Sequence, residues 1–286
     1  MAKANPFRWS TQYTDDETDL VCYLHRYYNP STGRWLSRDP IAELGGFNLY
    51  AFALNSPLNI LDILGLGNYR IGSPTEPPMT FDENFVYDPN AHATAGDYAS
   101  WTWWSTKALG AMILRHDLVD AVAAYRHYLD ATGTDMDVDY PKAYRDDKNI
   151  HNGVNNEIAA AQADAEKLAA SSGKTRFAMT GDAERLGNPS TENWQKTIGQ
   201  HYIWGSADVE GCDTFTMTIA IHEKDRYNFN RGAHDIATGL PDDANGRFAV
   251  LGWAKSFITN GKVVKKVTWK KGQIGPTTKI EDPPRR

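Results

Sequence analysis

RYYNPSTGRWLSRDPIAELGGFNLYAFALNSPLNILDILGL, residues 26–66, holds the densest aromatic and turn signals of a 286-residue chain. Just upstream and into it, residues 20–28 (LVCYLHRYY) are β-branched and aromatic with a partial two-residue alternation, which predicts a strand. Asn29-Pro30-Ser31-Thr32-Gly33 predicts a turn in which Gly33 takes the positive φ that closes a longer hairpin. Residues 34–37 return as a strand, Gly45-Gly46 interrupts, residues 47–54 (FNLYAFAL) predict another strand, and residues 58–61 a last short one after the Asn55-Ser56-Pro57 turn. About 60 residues of thin hairpins make a poor domain alone, because the core is small and the edges stay unpaired. Composition then changes abruptly after Leu66.

Beyond that joint, residues 67–97 predict a linker or irregular lead-in, rich at first in Pro, Gly, Asn and Thr. Asp97 is placed to cap a helix over residues 98–131, whose Trp101, Trp104, Leu109, Met112, Leu118, Val119, Val122 and Tyr125 recur near helical spacing before Gly133 stops it. Residues 155–172 predict a second, Ala-rich helix. Strands are predicted over 176–180, 201–209, 214–222 and 263–271, with a short helix over 246–257. The expected fold class is therefore α+β: a β-hairpin segment over 1–66, the lead-in, then one α+β domain over 98–286 with two main helices and a later antiparallel sheet.

Composition excludes some functions. The net charge is −6, split as 5 basic and 7 acidic residues up to Leu66 and 25 basic and 29 acidic after it. Neither part has the basic excess of a general nucleic-acid binder. Cys22 and Cys212 stand alone, with no Cys/His spacing for a structural zinc, and read as reduced thiols. The sequence MAKANPFRWS lacks the apolar region of a secretory signal, and the apolar run 108–114 is far short of the roughly 20 residues that cross a bilayer. The expectation is a soluble chain made in the cytoplasm without a signal peptide or transmembrane segment.

The residues RYYNPSTGRWLSRDP, then GGFNLYAFALNSPLN, then DILGL, resemble in order and spacing the RHS-repeat-associated core. That core closes RHS/YD-repeat polymorphic toxins and toxin-complex C subunits, and the likeness covers about the first quarter of the chain. The resemblance implies an upstream YD-repeat β-shell as a partner, a plug at its end, and a variable toxin segment beyond. It also implies a self-cleaving aspartyl site: Asp39 and Asp62 as catalytic carboxylates, Arg38 as their supporting cation, and the bond between Leu66 and Gly67 as the one cut. Two carboxylates forced together share one proton, so one serves as base while the other donates, and a guanidinium keeps one ionised. Ala42 stands where the family has Gly, Ile63 where it often has Pro, and Asp19 where it more often has Gly. Further implied partners are a cognate immunity protein and a dedicated secretion machinery that exports the chain as part of a larger protein.

In the second part, residues 216–247 are the densest polar cluster. A predicted strand delivers His222, and Asp225, Tyr227, Asn228, Asn230, Arg231, His234 and Asp235 follow in what reads as a loop. His222 or His234 suits a general base, Asp225 an orienting group or metal ligand, and Arg231 an anion clamp. Asp225-x-Tyr227-Asn228 with His234 six positions later is similar to the Asp-x-Tyr-Asp…His-Arg motif of colicin M-type lipid II hydrolases, which use magnesium; Asn228 replaces the motif's second Asp and Asp235 its Arg. The plainer reading of such Asn- and Asp-rich loops is Asx-turns and caps. His116 and His127, eleven apart, read more simply as solvent-facing than as ligands, and Trp101, Trp103 and Trp104 as core. Lys262, Lys265, Lys266, Lys270 and Lys271 read as the guards of a half-exposed edge strand. No Walker loop, GxSxG, HExxH or dinucleotide fingerprint occurs. No cofactor is identified, and a divalent metal is left open for the effector. The function expected is a polymorphic-toxin C-terminal piece with an effector of unknown target. The alternatives are a non-catalytic binding or structural tip and, third, a nuclease, which the acidic charge disfavours.

Overall fold

Tyr28 and Trp35 face each other across a hairpin, and around them the opening segment builds four short antiparallel strands in sequence order: β1 (Tyr13–Thr14), β2 (Val21–Cys22), β3 (Tyr27–Asn29) and β4 (Arg34–Trp35). The structure is a computed structural model that describes residues 13–15, 17–22, 27–37, 69–72, 75–234 and 241–283. The expected turn sits between β3 and β4: Asn29 Oδ1 accepts from the Ser31 amide at 2.9 Å and Gly33 has φ 67°. Val21, Tyr28 and Trp35 are buried, the two rings meeting edge-on at 5.9 Å. Gly45-Gly46 and the strands expected over 47–54 and 58–61 lie outside the described residues.

The later part is α+β, as composition and periodicity predict. Its strands are β5 (Arg70–Ile71), β6 (Met136–Asp137), β7 (Arg176–Thr180), β8 (Glu184–Leu186), β9 (His201–Gly211), β10 (Thr214–Tyr227), β11 (Phe257–Lys270) and β12 (Lys279–Glu281). They form one sheet in the order β12-β11-β10-β9-β7-β5, with β8 on β9 and β6 on β11; every pairing but the last is antiparallel. Alternation decides which face is buried. Phe215, Met217, Ile219 and Ile221 of β10 point inward, while Thr216, Thr218, Ala220 and His222 take the other face. Lys-rich β11 pairs with β10 over its full length on one side and on the other only with β6 at Thr259–Asn260 and β12 at Lys266–Thr268, so the stretch carrying Lys262 and Lys265 has no strand beyond it.

Among the described residues six α-helices occur, five before β9 and one between β10 and β11. They are α1 (Ala95–Leu114), α2 (Val119–Leu129), α3 (Tyr140–Asp146), α4 (Lys148–Ser172), α5 (Glu192–Thr197) and α6 (Asp243–Val250). α4 lays Ile150, Val154, Ile158, Ala161 and Ala165, at spacings of three and four, on the inner face. It begins seven residues before the expected start because Asp147 caps it: Oδ1 accepts the Asn149 and Ile150 amides, and Oδ2 the Thr191 amide. That cap outweighs the weak helix propensity of the Asn, His and Gly residues that follow. The single helix expected over 98–131 is broken. Arg115 leaves helical geometry, with φ −117° and ψ 70°, where its guanidinium joins Asp117 and Glu192, and a 3-10 turn, His116–Leu118, precedes α2. The start of α1 is set by Thr94, not Asp97: the two side chains cap each other's amides reciprocally. Thr94→Ala should therefore cost about 1 kcal/mol in a urea titration, whereas an unchanged midpoint would mean that α1 is held by packing alone.

Tyr69 locks the lead-in to the sheet. Its hydroxyl donates to Glu157 Oε1 at 2.5 Å and its amide to Asp164 Oδ2 at 3.0 Å. The ring occupies space that only glycine leaves, since a Cβ on Gly205 would fall 1.8 Å from the Tyr69 hydroxyl. Residues 75–88 then run without regular structure over the outer face. Glu76 pairs with Lys224, Glu83 with Arg226, and the Thr80 carbonyl accepts from the Tyr202 hydroxyl.

Candidate functional site

β10 runs five residues further than its apolar pattern suggests, because β11 pairs with it as far as Tyr227↔Phe257. Asp225 and Tyr227, expected in a loop, are therefore strand residues. Parity fixes where they point: Glu223, Asp225 and Tyr227 continue the inward set of Ile219 and Ile221. The apolar layer under α4 ends at this point. A second cluster, Ala124, Tyr128, Phe248, Ala249, Ala254 and Phe257, gathers α2, α6 and the start of β11. Between the two lies a cleft of about 850 Å³.

One wall of the cleft is apolar, from Trp104, Ala108, Leu118, Ala121 and Val122. The other is polar and includes Asp225, Arg185, Gln200, Asn228, Asp242 and Asn245. Asp225 is half-exposed to this hollow yet enclosed by protein, and desolvation pushes its carboxyl well above the usual carboxylate range. Buried Glu223 and, less strongly, Asp82 push the same way, while the Arg226 amide and Arg185 oppose them. Glu223 lies behind it, 1% exposed and raised to about 8 by burial. Its Oε1 accepts from Thr259 Oγ1 at 2.9 Å, and its Oε2 has no hydrogen-bond partner. Deeper still, the Tyr140 hydroxyl meets His201 Nε2 at 3.0 Å, and burial lowers that imidazole to about 4. On the far wall Tyr125 donates to Asn245 Oδ1 at 2.6 Å.

Of the six candidates in the polar cluster, four line the cleft: Asp225, Tyr227, Asn228 and His234. Tyr227 stacks on Phe257 at 4.9 Å, Asn228 donates to the Asp82 carbonyl, and His234 bridges to Pro241. His222 is on the opposite face of the sheet. There it meets Ser206 Oγ at 2.8 Å, stacks on Trp204 at 4.9 Å and is lowered by burial and then by Lys262. Arg231 lies over the Phe85 ring at 5.1 Å and is not among the cleft-lining residues. Arg38, Asp39, Asp62, the bond between Leu66 and Gly67, and Asp235 lie outside the described residues. His116 and His127 are parted by the helix break, His127 instead contacting the Thr134 carbonyl at 2.7 Å. Among the described residues no three His, Cys, Asp or Glu side chains gather as a metal-binding group. Glu223, Arg185 and Asn245 were not among the sequence candidates. Strand parity was the available signal for Glu223; no local motif marks the other two.

Chemically, the cleft offers a desolvated carboxyl with a raised pKa, a guanidinium among its lining residues and amide side chains for orientation. That combination suits proton donation to a bound polar group beside an apolar wall.

No family model and no solved structure matches the chain. Among curated proteins, it is 46% identical over 63 residues to Toxin protein Tse5 of Pseudomonas aeruginosa, covering 22% of this chain and 5% of that protein. It is 38% identical over 77 residues to Double-stranded DNA deaminase toxin A of Burkholderia cenocepacia, covering 25% of this chain and 5% of the toxin. Toxin subunit YenC2 of Yersinia entomophaga is 47% identical over 51 residues, again at 5% of its length. The chain thus spans about one-twentieth of each of these relatives, and over about a quarter of its own length it is related to proteins named as toxins.

Proposed function

We propose that this chain is the C-terminal region of an RHS-type polymorphic toxin, in which the segment to Leu66 is the RHS core and the part from Gly67 is an enzymatic effector. The toxin relatives support the first half, since their matched lengths of 51 to 77 residues are those of such a core. The observation that carries the second is Asp225, a carboxyl on the wall of an 850 Å³ cleft whose pKa desolvation raises well above the usual carboxylate range. In this reading Asp225 is the general acid, Arg185 steadies negative charge, and Asn228, Asn245 and Gln200 orient the substrate. The partners are the upstream YD-repeat shell, an immunity protein that protects the producer, and a secretion machinery; the setting is competition between bacteria. No helix among the described residues is long and apolar enough to cross a membrane.

Expressing the full chain in a test bacterium, with and without an added export signal, tests the effector. Growth arrest in one compartment supports it and names where the target lies; normal growth in both sinks it for that host. Self-cleavage is the separate half. Asp39 and Asp62, with Arg38, are proposed to cut after Leu66, so the purified chain should show two fragments by mass spectrometry and Asp39→Asn a single intact mass. An intact wild-type chain would remove the aspartyl site from the reading without touching the effector.

A further inference from the structure

Two helix faces form the apolar wall of the cleft. On α1, Trp104, Ala108 and Ala111 recur at spacings of four and three; Leu118, Ala121 and Val122 do the same along the 3-10 turn and α2. Ala108, Leu118 and Ala121 are buried, whereas Leu114, which also lines the cleft, is 78% exposed and stands at its mouth. The rings that reach the cleft are already engaged. Phe81 meets Tyr202, Tyr227 stacks on Phe257, Phe229 meets Tyr125, and Trp104 carries the Lys107 ammonium over its ring at 5.1 Å. What α1 and α2 present to a ligand is therefore mainly aliphatic.

The charges around the cleft depart from those of the whole chain. The chain carries −6, yet the lining residues include five basic side chains against four acidic ones. Of the acidic four, Glu192 is shared by Arg115 and Lys196, and desolvation disfavours the charged form of Asp225. Arg185 and Lys107 make no ion pair among the described residues, the Arg185 guanidinium lying over the Tyr202 ring at 5.1 Å. Arg185 also acts on Asp225 electrostatically, which places a cation on the polar wall opposite the aliphatic one.

We propose that the cleft binds a single-chain amphiphile with an anionic head. Its aliphatic chain lies along Ala108, Ala111, Leu118 and Val122, and its head, a carboxylate or a phosphate, meets Arg185. The volume of about 850 Å³ is in the roughly 300–1,000 Å³ range of small-molecule sites. Burial of the chain drives binding in proportion to its apolar area, and a guanidinium pairs with either kind of head through paired N–H donors. A nucleobase would call for a stacking ring, but the rings here pack on one another and Lys107 covers Trp104. The inference rests on the cleft being the effector's binding site, as proposed above, and not on Asp225 acting as an acid.

The test is isothermal titration calorimetry of the full chain with dodecyl phosphate, dodecanoate, octyl phosphate, dodecyl maltoside and adenosine monophosphate, each below its micellar concentration. One dodecyl anion should bind per chain, and the tighter of the two names the head. Octyl phosphate should bind at least about tenfold more weakly, since four fewer methylenes are buried. Dodecyl maltoside, which lacks the charge, should also be at least about tenfold weaker, and Arg185→Gln should remove most of that difference. Val122→Gln should weaken dodecyl phosphate with an unchanged thermal midpoint. Absence of binding by both dodecyl anions overturns the proposal, as does equal binding of octyl and dodecyl phosphate. Maltoside binding as tight as phosphate, or tighter binding of adenosine monophosphate, overturns it too. The two readings fail separately: chain-length-dependent binding in a protein whose Asp225→Asn variant still arrests growth keeps the ligand and sinks the general acid, whereas Asp225-dependent arrest with no dodecyl binding does the reverse.

Discussion

Asp225→Asn should abolish growth arrest by the full chain and leave its thermal stability equal or higher. Loss of a positioned general acid lowers a rate by about a hundredfold to ten-thousandfold, enough to turn an arrested culture into a growing one. The stability half follows from the sign of the pKa shift. The folded pKa of Asp225 is raised well above the ordinary value, so at neutral pH the folded state resists an ionisation that the unfolded chain accepts freely. That mismatch costs stability at every pH above the unfolded value, and an amide removes it. A gain in stability with a loss of function is the pattern of an active-site carboxyl. His222→Gln is the matching control: the imidazole lies on the opposite face of the same strand, bonded to Ser206, and its loss should leave growth arrest intact. Wild-type arrest by Asp225→Asn would remove Asp225 from the chemistry. A lower midpoint together with lost arrest would mean that the carboxyl holds the fold.

The sequence made this strand legible and its side chains only partly so. The run TFTMTIAIHEKDRY alternates from its first residue, and the two-residue period, carried on, places Glu223 and Asp225 inward and His222 outward. Reading residues 223–235 as a loop broke that parity and grouped His222 with residues it does not meet. Tertiary pairing explains the error: β11 extends β10 past the point where its composition turns polar. The helices show the same competition. Asp147 starts α4 within an Asn-rich stretch by capping the Asn149 and Ile150 amides, and its carboxylate is held there by bonds from Ser190 and Thr191, some 40 positions away, which no local pattern encodes. The turn at residues 29–33 was legible because Asn29 and Gly33 act on their own neighbours. The cleft was not, since Arg185, Gln200 and Asn245 come from separate elements brought together only by the packing of α2, α5 and α6 around the sheet.

Stability should fall as pH rises from 6.5 to 8. Glu223, raised to about 8, and Glu157, raised to about 7, are both fully buried, and desolvation is the leading cause for each. A carboxyl with a raised folded pKa binds more protons when folded than when unfolded, so its stabilising protonated form is lost as pH climbs toward the folded value. His201 opposes this below about pH 7.5. Its folded value is about 4, against an ordinary 6.5, so folding releases a proton in that window and stability rises through it. Half-buried His222 is lowered as well and acts in the same sense. At pH 6.5 the unfolded imidazoles are still about half protonated, so both offset a minor part of the loss until about pH 7.5, above which the carboxyls act alone. Glu223 by itself then lowers stability by roughly 2 kcal/mol across the window, with Glu157 adding in the same direction. Urea titrations at pH 6.5 and 8 should show this loss in the wild type, and Glu223→Gln should flatten most of it while keeping the Thr259 contact. A stability that holds steady or increases across the window would mean that Glu223 is ionised inside the fold, with its second oxygen solvated by water reaching in from the cleft.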